Sequence, residues 1–269
     1  MFSMSYMTLP TVPESFCWTD TPAGTVLKCR PLDSIAPHLF TTRGLPLSST
    51  DDWRRTAALL DAADTVTLNQ VHGRDVLVIH RGTRPAANRQ KADALVSDDP
   101  DVAIAVRAAD CVPLLMADTR TGAVAAVHAG WRGTAAGAAT AALDAMTREF
   151  DSRPEDVIVA IGPSIGACCY EVGSELVDAF AAAGHARHLV DRWFAARPAP
   201  RGSHERPRLR LDVAGANRDQ LILAGVPEEH VYDCGLCTAM HLDVLTSFRA
   251  EKEKAGRIAG VIRARPRAG

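Results

Sequence analysis

The chain has 269 residues, of which 47% are hydrophobic and 23% charged, a balance that fits a globular protein with one sizeable core and excludes a disordered or fibrous chain. A formal net charge of -2 gives nothing that would recruit nucleic acid or an anionic membrane, so neither is expected as a partner and a small substrate is the default. Seven cysteines, an odd and scattered set, sit in a chain too long to need disulfide staples, which points to thiols that do chemistry or fill core.

In chain order, the opening stretch MFSMSYMTLPTVPESFCW lacks a basic and then apolar leader pattern, and no later run supplies the roughly 20 apolar residues of a membrane span, so a cytoplasmic protein is expected. The segment TVTLNQVHGRDVLVI alternates polar and apolar residues on both sides of a glycine, which predicts a hairpin turning at His72-Gly73-Arg74-Asp75 with His72 at a strand end. Three short apolar runs, Val102 to Val106, Val112 to Ala117 and Ala123 to Val127, predict central strands bounded by turn residues.

Beyond them, the alanine-rich stretch from Thr134 to Phe150 predicts a helix, and DVIVAIGPSIG a buried strand running into a glycine loop. Two further helices are expected, one capped by Ser174 and ended by Gly184, the other capped by Asp212 and ended by Gly225. Between them, residues 185–210 are basic, proline-rich and aperiodic, which predicts a mobile loop within one domain over residues 1–269. RIAGVIR reads as a last strand. The order of elements predicts a single layered α/β domain with a mixed central sheet flanked by helices.

Chemistry enters where the apolar run to Val127 breaks off at VHAGWRG. A hairpin turning over Asp118 to Gly122 places Cys111 across from His128 at its open end, with Cβ atoms about 4.5–5.5 Å apart. That separation suits a shared metal, and His72 is the natural third donor. Three donors with an open fourth position make the catalytic zinc arrangement, whereas structural zinc closes the shell with four. The competing reading is a buried cysteine that is only a small hydrophobe.

The remaining thiols offer less. Cys234 and Cys237 have CxxC spacing without a second pair, and the adjacent Cys168 and Cys169 should point different ways in any regular element. His185, His188 and His204 fall in the expected loop and read as solvated.

LNQVHG, ADALVSDDPDVAIAVRAADCVPLL, AVHAGWRG, IGPSIGACCYEVG, CTAMHLDVLTSFR and AGRIAGVIR together resemble the signature segments of the YfiH or laccase-domain family, also known as multicopper polyphenol oxidases. The resemblance runs over almost the whole chain and places His72, Cys111 and His128 on the family's metal ligands. It implies a zinc-dependent purine nucleoside phosphorylase acting on adenosine, inosine, guanosine and methylthioadenosine with phosphate, with adenosine deamination as a second activity. Near the N-terminus the chain departs from the family pattern: FTTRGLPLSS keeps Thr42-Arg43-Gly44 but loses a second glycine, and only Trp53-Arg54 stands where the family has an Asn-Arg pair.

For this chemistry Asp110 is a candidate to orient a ligand or move a proton, since metal-bound histidines usually donate their second N–H to a carboxylate or carbonyl. Substrate-binding candidates are Arg43, Arg54, Gln70, Trp131, Arg132 and Ser164. Trp131 could instead cover core, and Arg132 cap a strand end. The other readings are a copper-dependent phenol oxidase, which needs clustered histidines that nine scattered ones do not build, a thiol hydrolase or deamidase using Cys111 and His128, and a factor that edits peptidoglycan precursors.

Overall fold

The computed structural model describes residues 9–83, 90–197 and 208–265. The first half builds β1 (Phe16–Thr21), β2 (Gly24–Cys29), α1 (Arg30–Asp33), β3 (His38–Thr41), α2 (Thr50–Ala58), β4 (Asp64–Val66), β5 (Val76–Ile79), β6 (Ala94–Ser97), β7 (Val102–Ala108), β8 (Val112–Asp118) and β9 (Val124–Ala129). There follow α3 (Trp131–Ala135), α4 (Ala138–Phe150), β10 (Val157–Ile161), α5 (Ser174–Ala182), α6 (Arg187–Trp193), β11 (Phe194–Arg197), β12 (Arg208–Leu211), α7 (Val213–Leu223), β13 (Val231–Asp233), α8 (Phe248–Glu251) and β14 (Ile258–Arg263).

The mixed α/β class holds, with the sheet doubled. One six-stranded sheet runs β1-β2-β3-β14-β7-β4 and the other β13-β10-β8-β9-β6-β5, each antiparallel at its centre, the first with a parallel pair at one edge and the second with a parallel pair at each edge. Their facing sides share one apolar core, in which Phe40, Ile104 and Val106 of the first sheet meet Leu115, Ala126 and Ile158 of the second. The strands at this centre are apolar on both sides because helices cover the outer faces. Leu114, Val127 and Val159 turn away from the shared core to pack with Ala138, Ala142 and Met146 of α4 and Leu221 of α7. On the opposite side Ala103, Ala105 and Val261 pack beneath Leu60 and Trp53. Among the described residues no helix is long and apolar enough to cross a membrane.

Several expected elements change. Residues 64–79 form no hairpin: β4 pairs in parallel with β7 and β5 in parallel with β6, so the chain crosses from one sheet to the other between them. Periodicity reports which residues are buried and is blind to which strand buries them. The helix expected from Thr134 starts earlier, at Trp131, and breaks at Gly137, whose φ of +77° is open to glycine and costly for other residues.

Gly173, not Ser174, is the N-cap of α5, with no side-chain bond, while Asp212 caps α7 as expected by accepting from Gly215 N. The stretch expected to be an aperiodic loop carries α6, with Val190 and Trp193 buried, and the β11–β12 ribbon; residues 198–207 of it lie outside the described residues.

The two sheets approach so closely at one point that a side chain is excluded. A Cβ at Gly162, just past β10, would lie 2.3 Å from the Phe40 ring of β3. Gly162→Ala is therefore expected to destabilise the fold by about 1–3 kcal/mol through overpacking, read as a lower urea midpoint at unchanged slope; an unchanged midpoint would show that the sheets are free to separate there.

Candidate metal centre

Three of the four links that carry the chain between the sheets meet at one cavity of about 670 Å³: residues 67–75, 109–111 and 234–257; the fourth, 98–101, is not part of its lining. Gln70 and His72 come from the first, Asp110 and Cys111 from the second, and Phe248, Arg249, Lys252 and Arg257 from the third. The site sits at the end of the inter-sheet core where these three crossovers run together.

The register of β8 and β9 corrects the expected placement of the donors. His128 stands opposite Pro113 and Ala129 opposite Val112, so continuing the ladder puts Gly130, not His128, across from Cys111. The slip is two residues, which leaves every side chain on its own face, and diagonal neighbours remain within reach of each other. Donor atoms of His72, Cys111 and His128 thus all lie within 4.8 Å of one another. Glycine at 130 is what allows this, since a Cβ there would meet Cys111 Sγ at 2.8 Å and the His72 ring at 3.1 Å.

Asp93, immediately before β6, organises the group. Its buried carboxylate accepts from His128 Nδ1 at 2.8 Å and from the backbone N–H groups of Val71, His72 and Gly73. Three of these bonds hold a loop in which His72 adopts φ +62°, a conformation costing a non-glycine residue about 1–3 kcal/mol and found preferentially at functional sites. The fourth fixes the His128 ring so that Nε2 is left for a metal, the arrangement usual for a ligating histidine. Burial opposes ionisation of Asp93, yet the His128 ring and the Gly73 and His72 N–H groups bring its carboxyl below the ordinary value.

Burial likewise opposes ionisation of Cys111, but hydrogen bonds from His128 and His72 bring the thiol down to about 6. His128 rises to about 9: burial works against its protonation and is outweighed by its bonds to Asp93 and Cys111. The trio therefore holds a negative sulfur against positive charge, the balance that a divalent cation would complete, and two imidazoles with one thiolate form a donor set suited to zinc.

Of the other expected residues, Gln70, Asp110, Trp131 and Arg132 line the cavity. Gln70 is spent on backbone: Nε2 donates to Arg107 O at 2.7 Å and Oε1 accepts from Arg107 N at 2.8 Å, tying the first crossover to the end of β7. Asp110 does not orient a histidine. Its carboxylate accepts from Thr238 Oγ1 and Arg249 N, each at 2.6 Å, and so fixes the third crossover against the second at a residue of φ +88°.

The structure does not bring Arg43, Arg54 or Ser164 to the cavity wall. Arg43 pairs with Glu251, Arg54 with Asp51 on the exposed side of α2, and Ser164 bridges through its backbone to Cys237. Arg54 fails because α2 lies outside the first sheet, far in the layering from the crossovers.

Sequence reasoning missed Asp93, Arg107, Tyr170, Arg249, Lys252 and Arg257. With Arg132, four of these give the cavity, among the described residues, five Arg and Lys side chains against the single lining carboxylate of Asp110. The Arg132 guanidinium lies 4.4 Å from the centre of the Trp131 ring, and that of Arg249 5.2 Å from the Tyr170 ring, so cations and aromatic faces alternate on the wall. Burial pushes the Tyr170 phenol up to about 12 and keeps it a neutral donor.

A family model described as multi-copper polyphenol oxidoreductase laccase matches residues 48–265. A Deinococcus radiodurans protein named purine nucleoside phosphorylase is 36% identical over 246 residues, 84% of this chain and 88% of that one. A protein from an unknown prokaryotic organism, named adenosine deaminase RL5, is 35% identical over 197 residues, 70% and 71% of the two chains. The crystal structure of the Bacillus licheniformis hypothetical protein YfiH superposes with a TM-score of 0.79 at 25% identity, covering 92% of this chain and 99% of that one. With a family model matched over most of its length and relatives above 30% identity over more than two thirds of both chains, the chain belongs to the YfiH family, the laccase family of that model.

Proposed function

We propose that the protein is a zinc-dependent purine nucleoside phosphorylase, acting on adenosine, inosine, guanosine and methylthioadenosine, that also deaminates adenosine. The observation that carries this reading is the pairing, in one cavity of about 670 Å³, of the His72, Cys111 and His128 donors with five basic side chains. Relatives named purine nucleoside phosphorylase and adenosine deaminase support it.

Phosphorolysis breaks the bond between ribose C1′ and the purine nitrogen as phosphate adds to C1′, through a transition state in which the sugar carries positive charge. Arg107, Arg132, Arg249, Lys252 and Arg257 are placed to hold a phosphate dianion, Arg by paired N–H donors and Lys as a point charge. Fixing the anion against C1′ turns a bimolecular encounter into a positioned one. Trp131, Tyr170 and Phe248 supply the apolar wall for a purine. Bound to His72, Cys111 and His128, zinc would supply a Lewis acid at the cavity floor and the means to activate water for deamination. In this reading Asp110, whose carboxylate lines the same cavity, is the group that would carry a proton, passed through its bond to Thr238 Oγ1.

The metal-replete protein is expected to convert adenosine with phosphate to adenine and ribose 1-phosphate, and without phosphate to inosine. Chelation should abolish both and zinc should restore both, while Arg54→Ala, remote from the cavity, leaves both unchanged. Absence of either product from zinc-loaded protein would overturn the reading.

A second reading has its own support. Asp93, His128 and Cys111 stand in the order carboxylate, imidazole, thiol, which is also the order of a thiol hydrolase.

A further inference from the structure

We propose a second metal site, formed by Cys168, Cys169 and Cys237, that takes copper(I). It is independent of the phosphorylase reading, since none of its sulfurs belongs to the His72, Cys111 and His128 group. The three Sγ atoms lie within 4.8 Å of one another. Adjacent cysteines diverge in a strand or helix, and these two converge because they stand in a turn: the N–H groups of Cys169 and Tyr170 both donate to Gly166 O, at 2.9 and 3.0 Å.

The third sulfur is delivered from a different segment. Cys237 is held beside that turn by a parallel bridge to Ser164, with Ser164 N donating to Leu236 O and Thr238 N to Ser164 O. Despite the CxxC spacing, Cys237 does not face Cys234; Cys234 is buried in the inter-sheet core, while Cys237 packs on the helix side.

Three features set this group apart from ordinary packing. Cys168 is exposed, so it is no core filler. Gly166 N–H donates to Cys237 Sγ at 3.2 Å, a bond to an acceptor that is weak as a neutral thiol and stronger as a thiolate. A Cβ at residue 166 would press on Cys168 Sγ at 3.3 Å and Cys237 Sγ at 3.6 Å, so the glycine leaves room for the sulfurs to close.

The donor count selects the metal. With metal–sulfur bonds of about 2.3 Å, three sulfurs around one ion sit about 4.0 Å apart, a modest closing of the observed group. A structural zinc site wants a fourth donor, and among the described residues the group has only these three. Soft thiolates favour copper(I), zinc and iron–sulfur clusters; zinc and clusters want four protein donors, whereas copper(I) is satisfied by two or three, so three sulfurs point to copper(I).

The test uses the reduced full-length chain, titrated with copper(I) without oxygen against a copper(I)-binding dye, beside the Cys168→Ser/Cys169→Ser variant. The variant is expected to bind one copper(I) fewer per chain. In the unaltered chain copper(I) should slow alkylation of Cys168 at least about tenfold, read by peptide mass, because a metal-bound thiolate is shielded. Equal copper binding by the two proteins, or alkylation of Cys168 that copper(I) leaves unchanged, overturns the proposal. Protection by zinc alone and not by copper(I) overturns the choice of metal.

Discussion

Cys111→Ser is expected to strip the His72, Cys111 and His128 centre of its metal and to lower nucleoside cleavage by about a hundred- to a thousandfold. A neutral alcohol is a poor replacement for a soft thiolate, and the charge stabilisation lost with the ion is worth several kcal/mol, at about 1.4 kcal/mol per tenfold in rate. Alkylation separates this outcome from the thiol-hydrolase reading. In the zinc-loaded protein Cys111 should resist an alkylating reagent. After chelation it should react quickly near neutral pH, because His128 and His72 hold the thiol at about 6 and the thiolate is the reacting form. A nucleophilic Cys111 behaves otherwise: the serine variant keeps its metal, and labelling is fast with zinc present and destroys activity. That pattern would remove Cys111 from the metal shell and the phosphorylase mechanism with it.

How much of this was legible in the sequence depends on how local each signal is. The strands β7, β8, β9 and β10 stand out because both of their faces are buried, so each reads as an unbroken apolar run. Their partners are another matter. The alternation around His72 carries no mark that β4 and β5 belong to different sheets, and the hairpin expected there was a reasonable reading of a parallel crossover. The donors survived a wrong register because the slip was even; a slip of one residue would have sent His128 to the opposite face.

Asp93 was invisible for a different reason. It is a lone carboxylate ahead of a buried strand, and its partners at 71–73 and 128 come together only through tertiary packing. The basic side chains of the third crossover were hidden in the same way, since arginine and lysine in a polar loop look like solvent-facing charge until the loop is folded over a cavity.

Asp93→Asn is expected to weaken metal binding by about 10- to 100-fold, the usual cost of removing the hydrogen-bond partner behind a ligating histidine. The amide keeps one acceptor oxygen, whereas the carboxylate takes four bonds across two oxygens: His128 Nδ1 and His72 N at Oδ1, Val71 N and Gly73 N at Oδ2. Placing the amide nitrogen toward either set sets donor against donor, so either His128 loses its orientation or the loop carrying His72 loosens. Two measurements distinguish a positioning role from a merely structural one. Zinc affinity should fall while the protein remains folded, and added zinc should restore nucleoside cleavage in the variant at a correspondingly higher concentration. The acid limb of stability should change as well. A carboxyl held below its ordinary 3.8 contributes stability that is present above that pH and is lost as pH falls through its lower folded-state value. The variant should therefore be less stable than the unaltered chain at neutral pH and converge with it in strong acid. Unchanged zinc affinity together with a uniform loss of stability at every pH would leave Asp93 a loop anchor only, with His128 oriented by its strand alone.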